Sequence, residues 1–163
     1  MLNTRPWRSH PTRDSLAAMP TYETEITIDA PPAEVWRHLV DFDRHDEWSQ
    51  HFVLRGKPIV GEPGRLKFVI FGRPASAPVV IEKINEEREL RWSGGPRGLV
   101  YGSHYFILRP QNDGRRTHFR HGEDFSGILA PLVWTLLTAQ LGPSYSGFNE
   151  ELKQRVEGGT DEQ

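Results

Sequence analysis

Three residues in the second half of the chain carry groups suited to proton chemistry: His104, His121 and Glu123. Arg115 to Phe125 alternates, with Thr117, Phe119, His121, Glu123 and Phe125 on one side and His118, Arg120, Gly122 and Asp124 on the other. A period of two is a strand, and the second face is polar and should meet water, so Phe119, His121 and Glu123 point inward. Val100 to Leu108 alternates as well, His104, Phe106 and Leu108 against Tyr105, Ile107 and Arg109. Pro110 to Gly114 joins the two stretches as a hairpin turn. An imidazole and a carboxylate on one inward face, with a second imidazole on the paired strand, are the parts of a general acid/base site, because burial and neighbours move their proton affinities towards neutrality. Aldol cyclisation and dehydration through an enol or enolate would use such groups. The competing reading is structural: the buried His and Glu bond each other, or Glu123 anchors a backbone amide or an arginine.

Other chemistries find little support. The 163 residues include no cysteine, which removes disulfides, thiol nucleophiles and thiolate metal sites and fits a reducing compartment. His118 and His121 sit three apart on a strand and face opposite ways, and His45-Asp46-Glu47 falls on a wet helix face, so no metal site is expected. Gly94 to Gly98 holds a proline and precedes no helix, so it is no phosphate loop, and no serine elbow occurs. No cofactor is implied. The net charge of −2 gives no reason to expect nucleic acid. No apolar run reaches the roughly 18 residues needed to span a bilayer.

The elements that must position these groups are legible in outline. Tyr22 to Asp29 alternates as a half-buried strand. Pro32 to Val40 is a short helix with Val35, Trp36, Leu39 and Val40 inward, and Asp41 caps a second helical turn that runs to Trp48. Strands follow at Phe52 to Arg55, Arg65 to Phe71, Pro78 to Ile84 and Glu89 to Ser93, with Gly72-Arg73-Pro74 as a loop. Gly127 to Val156 is one long helix. Its first half, Ile128 to Leu141, is apolar almost all round, and Pro143 should kink it. Residues 1–19, with Arg5, Arg8 and Arg13 against Asp14, lack a secretory core and are expected to be a disordered arm, with a mitochondrial transit peptide as the alternative. The domain is expected over 20–157, with 158–163 a flexible tail. The expected compartment is the cytoplasm.

The pattern, and the residues Ile26-x-Ile-x-Ala-Pro-Pro-x-x-Val-Trp36, Asp41-Phe42 with Glu47-Trp48, Gly61-Glu-Pro-Gly64, Leu90-x-Trp92, His104-x-Phe106-x-Leu108 and Glu123-x-Phe-x-Gly127, resemble the START-like superfamily, also called SRPBCC, helix-grip or Bet v 1-like. The nearest branch is the polyketide cyclase/dehydrase and lipid-transport group, and the resemblance covers about residues 20 to 157. It implies an α+β helix-grip fold: a strongly curved antiparallel sheet around a long C-terminal helix, with two short helices after the first strand. It also implies a cavity between sheet and helix, with His104 and Phe106 turned inward. The expected lining is Phe68, Ile70, Trp92, Tyr101, Phe106 and Phe119, with Leu132 and Leu136 on the helix as lid. Tyr101 either donates to a ligand carbonyl or packs half-buried. Arg73 either meets a ligand anion at the mouth or is a solvated loop charge.

Two functions follow as expectations. One is a binding module for a small hydrophobic molecule of lipid, isoprenoid, quinone or aromatic polyketide type. The other is a cofactor-free cyclase/dehydratase using His104, His121 and Glu123. Trp134 lies off the main stripe of the helix and reads as a cavity lid or as an exposed contact for a homodimer or a membrane surface. An interaction domain with a collapsed cavity is the third reading.

Overall fold

The computed structural model describes residues 20–159; the expected arm at 1–19 and the end of the tail, 160–163, lie outside them. The chain builds β1 (Thr21–Ile28), α1 (Pro32–Val40), a 3-10 helix (Phe42–Glu47), β2 (Phe52–Gly56), β3 (Pro63–Ile70), β4 (Arg73–Asn85), β5 (Glu89–Gly94), β6 (Tyr101–Gln111), β7 (Arg116–Ser126) and α2 (Ala130–Gly158). The seven strands form one open antiparallel sheet in the order β1-β7-β6-β5-β4-β3-β2. This is the helix-grip α+β fold. All consecutive strands from β2 to β7 are hairpin neighbours, and only β1 crosses, to pair with the last strand.

Helix α1 keeps the expected bounds. Pro31 is extended, Pro32 occupies the first turn where its missing N–H costs nothing, and Val35, Trp36 and Leu39 are buried. Asp41 makes no side-chain cap bond, contrary to expectation. Strand β4 begins five residues before the expected Pro78. The Gly72-Arg73-Pro74 segment is no loop: a tight turn at Phe71 and Gly72, both at positive φ, leads straight into it. The two prolines hid the strand, and the ladder explains why it tolerates them. Ile81 donates to the Glu62 carbonyl and accepts from the Gly61 N–H. Alternation then turns the backbone groups of 75, 77 and 79 towards β3 and those of 74, 76 and 78 the other way. Pairing with β5 starts only at Val79, opposite Gly94. Pro74 and Pro78 therefore sit where no strand asks for a donor.

His45 is a second correction. It is 1 % exposed, not on a wet face. Its Nε2 lies 2.9 Å from the Leu39 carbonyl and its Nδ1 accepts from the Leu54 N–H at 3.3 Å. Burial pushes its pKa down to about 4. It is a neutral strut between the 3-10 helix and β2.

Helix α2 runs unbroken through Pro143, which is exposed, as is Ala139, whose carbonyl it leaves unmatched. The second half carries the buried stripe, Tyr145, Phe148, Asn149, Leu152 and Val156. In the first half, Leu132 and Leu136 do not act as a lid, and Leu141 at its end is what reaches the cavity. Leu132 is 80 % exposed and Leu136 52 %. Trp134 is half-buried, edge-on to Phe125 at 5.7 Å.

Candidate functional site

The hairpin of β6 and β7 brings the expected groups together. Its register sets His104 opposite Glu123 and Phe106 opposite His121. Residues opposite or diagonal across an antiparallel pair share a face, so the two imidazoles meet. Nε2 of His104 lies 2.7 Å from Nε2 of His121. Nδ1 of His104 lies 3.7 Å from Oε2 of Glu123.

Helix α2 and β1 complete the site. Tyr145 donates a short hydrogen bond to Oε2 of Glu123. Asn149 faces His121, Oδ1 to Nδ1 at 2.8 Å, and its amide nitrogen donates to Thr24 Oγ1 at 2.9 Å. The rings stack: Trp92 on His104 at 4.4 Å, and Tyr145 over both His104 and His121. Tyr145, Asn149 and Thr24 are the members that sequence reasoning missed. One signal existed: Asn149 is polar, one residue after Phe148 and four after Tyr145, on a stripe that is otherwise apolar.

The donor and acceptor pattern assigns the protons. With the Asn149 amide nitrogen donating to Thr24, its Oδ1 is the acceptor towards His121, so Nδ1 of His121 carries the hydrogen. Burial, and then the neighbouring His104, hold the His121 pKa well below its ordinary value. His121 is neutral, and its Nε2 accepts from Nε2–H of His104. The remaining ring nitrogen of His104 is turned to Glu123. Tyr145 keeps its proton, since burial and then the Glu123 carboxylate push its pKa well up.

Of these groups, Trp92, His104 and Glu123 form one wall of a cavity of about 180 Å3 between the sheet and α2. Its lining includes Phe52, Leu66, Phe68, Val79, Trp92, His104, Glu123, Phe125 and, from α2, Leu141. Of the expected site residues, Phe68, Trp92, His104 and Glu123 reach it. Phe106 and Phe119 are sealed in the core behind it, and His121 is fully buried behind His104. Ile70 is half-buried near the β3–β4 turn, outside the lining. Tyr101 faces the opposite side of the sheet, where its hydroxyl meets Ser93, Arg97 and Glu82. Leu132 and Leu136 face solvent, and Arg73 is exposed at the β3–β4 turn.

Gly102 seats the carboxylate. A Cβ at this position would stand 2.0 Å from Oε1 of Glu123. Any larger residue would push the carboxylate out of its place. A larger hollow, about 680 Å3, lies between α1 and the end of α2. It is open and polar, and its arginines are paired: Arg37 with Glu34, Arg44 and Arg155 with Glu47.

The family model for polyketide cyclase/dehydrase and lipid transport matches residues 19–157. The chain belongs to that family. Its fold is shared with solved structures of low sequence identity. The Zhui aromatase/cyclase of a Streptomyces species is 16 % identical over 85 % of this chain and 94 % of its own, with a TM-score of 0.70. A START superfamily protein of Mycobacterium smegmatis is 16 % identical over 84 % and 97 %, with a TM-score of 0.65. A Thermus thermophilus protein is 17 % identical over 86 % and 99 %, with a TM-score of 0.66. A search of curated proteins finds no match. Family and fold are those of hydrophobic-ligand-binding or polyketide-cyclase-type proteins. Among the described residues no helix is long and apolar enough to cross a membrane.

Proposed function

We propose that the chain is a binding module that holds a small hydrophobic molecule in the cavity walled by Phe52, Phe68, Trp92, His104, Glu123 and Leu141. The observation that carries this reading is how the polar groups are tied. Both ring nitrogens of His121 are bonded to protein, His104 is held between His121 and Glu123, and Tyr145 is bonded to Glu123. Groups fixed this way shape a wall rather than wait for a substrate. The rest of the lining is largely aromatic and aliphatic. Enclosing a ligand there would contribute about 25 cal/mol per Å2 of apolar surface buried.

The cyclase/dehydratase reading keeps one supporting observation: Glu123 and His104 both reach the cavity, side by side. In that reading Glu123 would exchange a proton with the substrate and His104 would balance it. The two readings separate by experiment. Displacement of an environment-sensitive apolar dye by candidate hydrophobes measures binding in both. Turnover measured on the same compounds, with wild type and His104→Phe, tests catalysis. Binding without turnover supports the module, and turnover that falls at least tenfold in the variant supports the enzyme. Absence of any binding contradicts the proposal.

A further inference from the structure

One oxygen of the Glu123 carboxylate has no protein partner. Oε1 of Glu123 receives no hydrogen bond from any described residue, since Tyr145 and His104 both address Oε2. Among the described residues no fully buried side-chain oxygen or nitrogen is left unsatisfied. Oε1 is therefore accessible, and it lies over Gly102, in the wall of the cavity that both residues line.

We infer that the ligand carries a hydroxyl group that donates to Oε1 of Glu123: a neutral alcohol or phenol on an apolar body, not a carboxylate and not a molecule whose only polar atom is a carbonyl. This deepens the binding-module reading and rests on it. The argument is a count of protons along the chain from Thr24 to Glu123. Asn149 fixes the hydrogen of His121 on Nδ1, so His121 accepts at Nε2 and His104 donates to it. That leaves Nδ1 of His104, which faces Oε2. That 3.7 Å contact is longer than a hydrogen bond and lies on the Oε2 side. The Tyr145 hydroxyl also points at Oε2. The hydroxyl of Tyr145, the donor that reaches the carboxylate among the described residues, is directed to Oε2, and Oε1 remains an acceptor. A ligand carbonyl would bring lone pairs against lone pairs. A ligand carboxylate would add a second negative charge next to Glu123. A hydroxyl satisfies Oε1, and the aromatic walls take the remaining apolar body.

The probes are three naphthalenes that differ in one group: 2-naphthol, its methyl ether 2-methoxynaphthalene, and 2-naphthoate, with 2-acetylnaphthalene as a pure acceptor. Affinities are measured by calorimetry on the full chain at neutral pH. The expected order in wild type is 2-naphthol at least tenfold tighter than the ether or the ketone, with the naphthoate weakest. The Glu123→Gln variant changes the sign. Its amide oxygen accepts from Tyr145 in place of Oε2, which turns the NH2 group to the cavity. The preference should then pass to 2-acetylnaphthalene. Thermal unfolding followed by circular dichroism checks that the variant is folded, and if it is not, the wild-type order decides alone. Equal affinities for naphthol and ether, tight naphthoate binding, or an unchanged preference in the folded variant would overturn the inference while leaving the binding module in place. Failure of all four probes to bind would overturn both.

Discussion

Nε2 of His104 and Nε2 of His121 face each other at 2.7 Å, inside a shell of aromatic rings. Two like nitrogens at that distance require one donor and one acceptor. The choice is made 28 residues away in sequence, by Asn149 on α2. An exchange of that residue should therefore reverse the polarity of the pair. In Asn149→Asp, a carboxylate beside Nδ1 favours the charged form of His121, whose Nε2–H then donates. His104 becomes the acceptor, with its hydrogen moved to Nδ1, towards Glu123. The 15N shifts of both rings report this directly. The expected result is a protonated-type Nε2 on His121 and exchange of the two nitrogen environments on His104. Unchanged shifts on His104 would show that the rings are not coupled.

Stability should fall with acid in a way that His45 contributes to. Its pKa in the fold is about 4 against an ordinary value of 6.5. Below pH 6.5 the unfolded chain takes up a proton that the folded chain refuses. The loss grows as pH falls and is complete below about pH 4, reaching on the order of 3 kcal/mol for this group. His121, depressed in the same direction by burial, adds to the effect. Urea unfolding between pH 7.5 and 4.5 measures the slope. His45→Gln, which cannot titrate, should give a flatter profile; an identical slope would contradict the assignment.

The exposed leucines of α2 should be dispensable. Leu132→Ser and Leu136→Ser are expected to change stability by less than about 0.5 kcal/mol and to leave probe affinity as in wild type. Leu141→Ala, from the cavity lining, should lower probe affinity several-fold. Chemical denaturation and dye titration of the three variants check this. A loss of affinity in Leu132→Ser would restore the lid reading.

Gly102→Ala should displace the carboxylate. Its Cβ has no room beside Oε1 of Glu123, and the neighbouring strands fix the backbone on both sides. The expected cost is about 1–3 kcal/mol of stability, with loss of any preference for hydroxyl-bearing probes. A variant as stable as wild type with unchanged binding would place Glu123 elsewhere.

Much of this arrangement was legible in the chain. The period of two along 115–125 and 100–108, with one turn between, placed His121 and Glu123 on one inward face. Pro32 and the spacing of Val35, Trp36 and Leu39 fixed α1. What stayed hidden depended on contacts distant in sequence. The strand character of 73–77 was masked by Pro74 and Pro78, because only the sheet order reveals that no neighbour needs their donors. His45 looked wet because its partners, Leu39 and Leu54, lie on other elements. Leu132 and Leu136 looked like a lid because apolarity alone does not say which side of a helix is covered. Asn149 and Tyr145 entered the site from α2, and no local pattern ties them to a hairpin.

The central claim is that a hydrophobic ligand occupies the cavity with Glu123 at its wall. The most direct measurement is a titration of the isotope-labelled chain with 2-naphthol, followed by NMR through the backbone amides, the Trp92 indole and the histidine rings. The expected result is saturable change at Trp92, Gly94, Gly95, Gly102, His104 and Glu123, with the Arg37, Arg44 and Arg155 groove unmoved. Changes confined to that groove or to the outer face of the sheet, or no saturable change at all, would contradict the account.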